Sequence, residues 1–405
     1  MSLCYIPVCP YVRPSCYNPP MYLSRLSLAH FRNCAGLKLD LPPGLIAVLG
    51  GNGQGKSNLL EAAYLLSIAK SYRSNVEREL VSWEAQKAVE QQGDAAALEY
   101  QTLVTGDVEQ SAGRLRIIIG LRLMRSEGDS PWQVQKEIRV NGAVTSASGL
   151  VGQMNAVLFT AADVDLVLGP PSGRRRFLDI LISQADRPYL RALQRYQRVL
   201  TQRNSLLRQV RENRAAPAEL DFWDAELVKE GSAVVARREE VVQRLSPLAG
   251  DAYRTLAGGE ALSVAYQPSV TAAAMPQAIA DSRVAEIRAG LTLLGPHRDD
   301  LLLAIDAMPA AVYASRGQAR TIGLALRLAE ATFLRETRRQ EPVLLLDDVL
   351  SELDPDRRRR VLAEVSRYQQ AIVTAADPAL FAGAPVAPAM TVHIEKGKAA
   401  GPALP

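Results

Sequence analysis

The residues with the clearest chemistry lie in "VLGGNGQGKSN", Val48 to Asn58. Gly50 to Ser57 fit the pattern G-x-x-x-x-G-K-[ST], placed between an apolar strand-like run and an apolar helix-like run. Glycines free the backbone to curl, so that the N–H groups of Gly50, Gly51, Asn52, Gly53, Gln54 and Gly55 turn toward one anion. The Lys56 ammonium would reach the β- and γ-phosphates of a nucleoside triphosphate, and the Ser57 hydroxyl would ligate Mg²⁺. A helix running on from Asn58 would set its positive end on the phosphates.

A second set sits in "VLLLDD", residues 343–348. An apolar strand ending in two carboxylates suits a triphosphate site: Asp347 would hold Mg²⁺ through water, and Asp348 would orient or deprotonate the attacking water. Asp348 is one methylene shorter than a glutamate. A misplaced water costs about tenfold in rate per ~1.4 kcal/mol, so slow hydrolysis is expected.

The third set is Ser315-Arg316-Gly317-Gln318, opening an amphipathic helix in "AVYASRGQARTIGLALRLAEATF" (311–333). Ser315 offers a hydroxyl, Gly317 a close backbone approach, and the helix start free N–H groups, all suited to a phosphate. The same Ser315 also suits a plain helix cap.

These sets need strands and helices to hold them. Strands are expected at 22–31, within 37–50, in a hairpin-rich stretch from 97 to 145 with an Asn141-Gly142 turn, at 300–314, at 343–347 and at 371–374. Helices are expected at 58–70, from 174 to about 256, and after Ser315. The order β-rich, helical, then α/β predicts an α/β head split by a helical insertion. The expected divisions are a Pro-rich leader (1–20), a first part of the head (21–170), a helical arm with its adjoining lobe (171–298) and a second part of the head (299–405).

The 405 residues, 48% of them hydrophobic, suffice for a large core, and the net charge of +4 permits a nucleic-acid partner without demanding one. No apolar run reaches the ~18–20 residues of a membrane span. Cys4, Cys9 and Cys16 crowd the leader while Cys34 stands apart, which suits neither a disulfide framework nor a complete four-ligand metal site. A reduced, cytoplasmic chain is expected. From 174 to 214 eleven arginines face three acids, Asp179, Asp186 and Glu212. Arg187, Arg191, Arg195 and Arg198 share one helix face, which suits either a solvated surface or a stripe on DNA phosphates. Leu190, Leu193, Tyr196 and Leu200 would seat that helix. A helix of about 35 residues spans roughly 50 Å, so the arm is short and no long coiled coil is expected.

The three sets together, with "SELD" at 351–354, resemble the layout of ABC-type P-loop ATPase heads, in which the Ser-x-Gly-Gln turn is the signature motif. The resemblance sharpens with "LAHFRN", "AKSYRS", "RRRFLD", "YLRALQRYQRVLTQRNSLLRQ", "GPHRDDL", "SRGQAR" and "LLLDDVLSELD". From about Met21 to Gly397 the chain resembles the RecF family of bacterial recombinational-repair ATPases, related to SMC heads. The resemblance implies a head that binds ATP and Mg²⁺ and is monomeric without ATP. With ATP it forms a homodimer, each signature turn capping the nucleotide on the partner's P-loop. It further implies binding to double-stranded DNA and single/double-strand junctions, and cooperation with RecR and RecO in loading recombinase onto gapped DNA. Arg32 and Asn33 resemble a nucleotide-contacting pair, and Arg73 an arginine that couples DNA to hydrolysis. Three positions depart from related patterns: only Asp163 remains of a Pro-Glu-Asp trio, Val157 stands where a nucleotide-sensing Gln is expected, and "AIVTAAD" lacks a His. The motifs alone also allow a transporter ATPase subunit, which the arginine-rich insertion disfavours, or an adaptor that uses ATP as a switch.

Overall fold

A computed structural model describes residues 21–92, 101–125 and 132–400. Cys4, Cys9 and Cys16 of the expected leader lie outside the described residues. Cys34 is buried and unpaired, its thiol pushed up to about 11 by burial.

Strands β1 (Met21–Phe31) and β2 (Cys34–Asp40) form a hairpin, and β3 (Gly44–Leu49) runs into the P-loop and its helix, Lys56–Ile68. Then come β4 (Gln101–Gln110), β5 (Gly113–Arg125), β6 (Trp132–Val140), β7 (Ala143–Thr145) and β8 (Ala156–Thr160). Asn141 and Gly142 both take positive φ (49° and 84°), as a tight hairpin turn between β6 and β7 requires. The insertion holds helices Pro171–Ala185, Arg187–Arg211, Leu220–Ala257 and Met275–Ala289, with β9 (Leu262–Gln267) among them. Strands β10 (Asp300–Ile305) and β11 (Met308–Pro309) lead to the signature helix, Arg316–Arg338. Last come β12 (Val343–Asp347), helix Pro355–Val365, β13 (Gln370–Ala375), β14 (Met390–Glu395) and β15 (Lys398–Ala400).

One antiparallel sheet runs β2-β1-β4-β5-β6-β7, and a second, mostly parallel sheet runs β15-β14-β3-β13-β12-β8. The second is buried on both faces, and its side chains alternate between two cores. Leu45, Val157, Phe159, Leu344, Leu346, Ala371 and Val373 face the core shared with the arm base and the signature helix. Ile46, Val48, Ala156, Leu158, Val343, Leu345 and Ile372 face the core shared with the P-loop helix and the antiparallel sheet. The P-loop helix and the signature helix therefore pack on opposite faces of one sheet.

Three expectations change. The strand expected through 300–314 stops at Ile305, and Ala310–Tyr313 is a single helical turn. The helix expected from 58 begins at Lys56, straight after the left-handed Gly55. A division at 298/299 would separate paired strands, because β10 pairs with β9 from Asp300↔Gln267 to Ile305↔Leu262.

The arm is short. Helix Arg187–Arg211 has 25 residues, roughly 37 Å at 1.5 Å per residue, and it folds against Leu220–Ala257. Its base is tied to the head by charge. Arg174 makes a bidentate pair with Asp300 (2.6 and 2.9 Å), and Arg238, almost fully buried, reaches Asp179 (2.7 Å), Asp299 (3.3 Å) and the Pro296 carbonyl (2.7 Å). "RRRFLD" and "GPHRDDL" are thus two halves of one buried ionic joint.

Candidate nucleotide site

The P-loop opens at the end of β3. Gly50 (φ 153°), Gly53 (77°) and Gly55 (111°) take backbone angles that side chains disfavour. Space matters as much at Gly50, where a Cβ would lie 2.3 Å from the Ile394 carbonyl oxygen of β14. Lys56 is buried, and its Nζ donates to the carbonyls of Gly50 (2.8 Å) and Gly51 (2.9 Å), which holds the ammonium over the loop. The turn between β14 and β15 closes on the loop: Gly397 N donates to Gln54 O (2.8 Å) and Lys396 N to Gln54 Oε1 (2.7 Å). Gln54, expected to bind nucleotide, thus has its side chain engaged by the C-terminal hairpin.

The parallel order β3-β13-β12 brings Asp347 to Ser57, 290 residues apart, with Ser57 Oγ donating to Asp347 Oδ1 at 2.8 Å. Two hard oxygen ligands side by side suit Mg²⁺, which keeps most of its shell as water and phosphate oxygens. Among the described residues no cluster of three or more His, Cys, Asp or Glu could hold a metal ion unaided. Two partners of Asp347 escaped the sequence reading. Tyr72 Oη donates to Asp347 Oδ2 (2.6 Å), and Thr374 Oγ1 of β13 donates to Asp347 Oδ1 (3.1 Å). Burial, followed by the Asp347 charge, raises the Tyr72 phenol, so it stays a donor throughout the neutral range. Thr374 also accepts from Asp348 N (2.9 Å) and stands on the strand that lacks the His. Asp348 sits in left-handed backbone (φ 52°), with a buried Oδ1 that has no hydrogen-bond partner among the described residues. A carboxylate oxygen in that position is equipped to take a water.

Beside the loop, Asn33 Oδ1 accepts from Asn58 Nδ2 (2.7 Å), and Arg73 Nη1 donates to Asn58 Oδ1 (2.6 Å). Arg32, expected at the nucleotide, is instead engaged in a bidentate pair with Glu61 (3.0 and 2.7 Å). Glu61 is fully buried, accepts from Ser71 as well, and lies 3.6 Å from Arg73. The signal for it was present: one acid in the apolar run "LLEAAYLL" must have a partner.

Ser315 is exposed and caps the signature helix, accepting from Gln318 N (3.2 Å), while Gln318 Oε1 accepts from Ser315 N (2.9 Å). Gln318 Nε2 donates to Glu260 (2.8 Å), and Arg320 reaches both the Glu352 carbonyl (2.9 Å) and its carboxylate (2.6 Å), which fixes the turn against "SELD". No hydrogen bond joins residues 315–318 to residues 50–58 among the described residues.

The signature helix carries a buried charge group at the β8 edge. Arg327 pairs with Asp163 (3.0 and 2.8 Å) and with Glu330 (2.8 Å). One guanidinium serves two carboxylates, and Glu330 retains the weaker hold: burial raises its carboxyl from 4.5 to about 7. Below pH 4.5 the unfolded chain also keeps this proton. From there to about 7 only the folded state does, so stability falls as pH rises, by on the order of 3 kcal/mol at this site. Glu330→Gln keeps the neutral shape and is expected to flatten thermal stability between pH 5 and 7. An unchanged slope would assign the effect to another group.

In the arm, Arg187, Arg191, Arg195 and Arg198 are all exposed, and Arg195 pairs with Glu230 (2.7 Å). Leu193 and Tyr196 are buried and Leu190 and Leu200 partly so, which seats the helix as expected. Arg203, counted with the basic residues, is instead fully buried.

Comparison with known proteins gives the family and the fold. Residues 22–399 match the family described as the RecF/RecN/SMC N terminal domain. The chain is 40% identical over 395 residues to the DNA replication and repair protein RecF of Chloroflexus aggregans, covering 93% of this chain and 99% of that protein. It is 42% identical over 377 residues to the protein of that name from Roseiflexus castenholzii, covering 88% and 93%. Among solved structures it is similar to the recombination mediator protein RecF with ATP in the RecFOR pathway (TM-score 0.82, 28% identity, covering 97% of this chain and 100% of that one). An Smc head domain from Pyrococcus furiosus, bound to part of ScpA, shares the fold (TM-score 0.51, 16% identity, covering 94% and 95%).

Proposed function

The chain belongs to the RecF family of DNA replication and repair proteins, and from that premise we propose that it is an ATP-gated clamp on double-stranded DNA in recombinational repair. One observation carries the reading. The signature turn is exposed at Ser315 and Arg316, opens a helix on the opposite sheet face from the P-loop helix, and shares no hydrogen bond with its own P-loop among the described residues. A phosphate-shaped turn so placed serves the nucleotide of a second copy.

In this reading Lys56 and the loop amides hold the β- and γ-phosphates, and Ser57 and Asp347 hold Mg²⁺, which neutralises charge on the phosphates when bound. Asn33 and Asn58 line the loop, Asp348 orients the attacking water, and Ser315, Gly317 and Gln318 cap the partner's ATP. Arg32 keeps Glu61 neutralised and supports the loop from behind. Hydrolysis is slow because the short Asp348 carries the water alone. The chain resides in the cytoplasm, and no described helix is long and apolar enough to cross a membrane. RecR- and RecO-type mediators are its protein partners, single/double-strand junctions its targets, and recombinase loading on gapped DNA its outcome.

Arg187, Arg191, Arg195 and Arg198 are the proposed phosphate stripe, with Arg73 linking DNA to the P-loop helix. The test is the anisotropy of a labelled duplex with ATP or ADP. Tight binding with ATP alone is the expected result, and equal affinity with both nucleotides would refute the gate. Changing Arg187, Arg191 and Arg198 to Gln is expected to reduce the log–log salt slope by about 3 per head. A slope that stays at the parent value would make this face merely solvated.

A further inference from the structure

The stretch after the paired acids carries four consecutive arginines, Arg357 to Arg360, in the first turns of helix Pro355–Val365. Three have structural partners. Arg358 donates to the carbonyls of Leu350 (3.2 Å) and Leu353 (3.0 Å), and Arg359 pairs with Asp356. Arg360 donates to the Leu256 carbonyl (3.1 Å), so it serves the C-terminal end of the long arm helix. Arg357 differs. Its side chain is 35% exposed, and while its backbone N–H donates to Asp354 Oδ1 (2.9 Å), its guanidinium makes no hydrogen bond among the described residues and its one ion pair, to Asp354, is long at 3.5 Å. Its guanidinium lies at the signature turn instead: a methyl group added at Gly317 would sit 3.6 Å from Arg357 Nη1 and 3.9 Å from Ser315 Oγ.

Three donors therefore converge beside Gly317. They are the backbone N–H groups of Arg316 and Gly317, which the capping box leaves unused, the Ser315 hydroxyl and the Arg357 guanidinium. Ser315 Oγ accepts its capping bond from Gln318 N, which leaves its own hydrogen free to donate. Arg357 arrives from a different element, so it adds a full positive charge where the helix end supplies only partial ones.

Resting on the trans reading above, we propose that Arg357 contacts the γ-phosphate of the ATP bound to the partner copy's P-loop, exchanging its long pair with Asp354 for a charge-assisted bond to phosphate. An arginine that reaches a phosphoryl group in trans stabilises charge on its equatorial oxygens, an effect large in other phosphoryl-transfer sites. The role is invisible to nucleotide binding by one copy alone, because Arg357 lies at the signature turn and not at its own P-loop.

The test uses the full chain and three variants, Arg357→Gln, Ser315→Arg and Lys56→Ala, with Arg357→Lys as the conservative control. Arg357→Gln is expected to bind a fluorescent ATP analogue as a monomer within about twofold of wild type, while ATP-dependent dimerisation and turnover fall by tenfold or more, about 1.4 kcal/mol per decade. Arg357→Lys keeps the charge but not the fork, and recovers part of the loss. Mixing decides the geometry. A dimer of Arg357→Gln with Lys56→Ala has one composite site with an intact P-loop from the first copy and an intact Arg357 from the second. Neither parent variant has such a site, so the mixture is expected to regain turnover, as a mixture of Ser315→Arg with Lys56→Ala does. If the Ser315 mixture recovers and the Arg357 mixture does not, or if Arg357→Gln behaves as wild type, the inference is overturned while the trans reading stands. If neither mixture recovers, the trans reading fails and the inference falls with it.

Discussion

Arg203→Ala is expected to lower the unfolding free energy by about 3–5 kcal/mol, the cost of leaving a buried charge without its partner. Arg203 is fully buried in the arm, where Nε meets Asp224 (2.7 Å), Nη2 meets Glu286 (2.7 Å) and Nη1 donates to Thr292 Oγ1 (2.8 Å). Glu286 is buried too and would be stranded. Changing both, Arg203→Met with Glu286→Leu, removes the stranded charge and is expected to recover most of the loss, because apolar groups of similar size often replace a buried ion pair at little cost. Urea titration of the two variants reads both effects. An Arg203→Ala loss below 1 kcal/mol would mean that water reaches this network.

Asp347→Asn is expected to cut hydrolysis by at least about a hundredfold, roughly 2.7 kcal/mol or more of transition-state stabilisation, with ATP binding changed far less. Asp347 is held on both oxygens, by Ser57 and Thr374 on Oδ1 and by Tyr72 on Oδ2. Such a carboxylate is pre-set in one rotamer, and its charge is what the amide removes. Single-turnover hydrolysis at saturating ATP checks this, since it separates chemistry from binding. Tyr72→Phe loses one hydrogen bond and keeps the charge, so its effect is expected to be smaller, about tenfold or less. If Tyr72→Phe proved as damaging as Asp347→Asn, orientation rather than charge would be the function of the carboxylate.

Much of this site was legible because its motifs are local. Glycines at fixed offsets before Lys56-Ser57 dictate a phosphate loop, and an apolar strand ending in Asp347-Asp348 must be a buried strand whose C-terminal end emerges where carboxylates are tolerated. The split head was legible from the order of strand-like and helix-like patterns. The pairing of Ser57 with Asp347 came from the motif's known use and not from spacing, because 290 residues separate the two. Tyr72 and Thr374 were missed because single polar residues carry no period, and their role exists only once the parallel sheet has formed. Arg203 was misread for a different reason. It was counted by charge, although it falls on the apolar stripe Tyr196, Val199, Arg203, Leu207, Val210, and that register predicts burial. Arg238, between Val234 and Val242, lies on a buried register in the same way. The strand expected to run to 314 failed because Asp306 and Ala307 both turn left-handed (φ 46° and 64°), which ends β10 in a tight turn.

The central claim is that the signature turn acts on a second copy, and light scattering tests it most directly, on wild type and Ser315→Arg, each with ATP, ADP or no nucleotide. The account predicts that wild type doubles in mass with ATP alone, and that Ser315→Arg binds ATP yet stays monomeric. A wild type that remains monomeric with ATP, or a variant that dimerises as wild type does, would contradict it and reduce Ser315 to the helix cap it also forms.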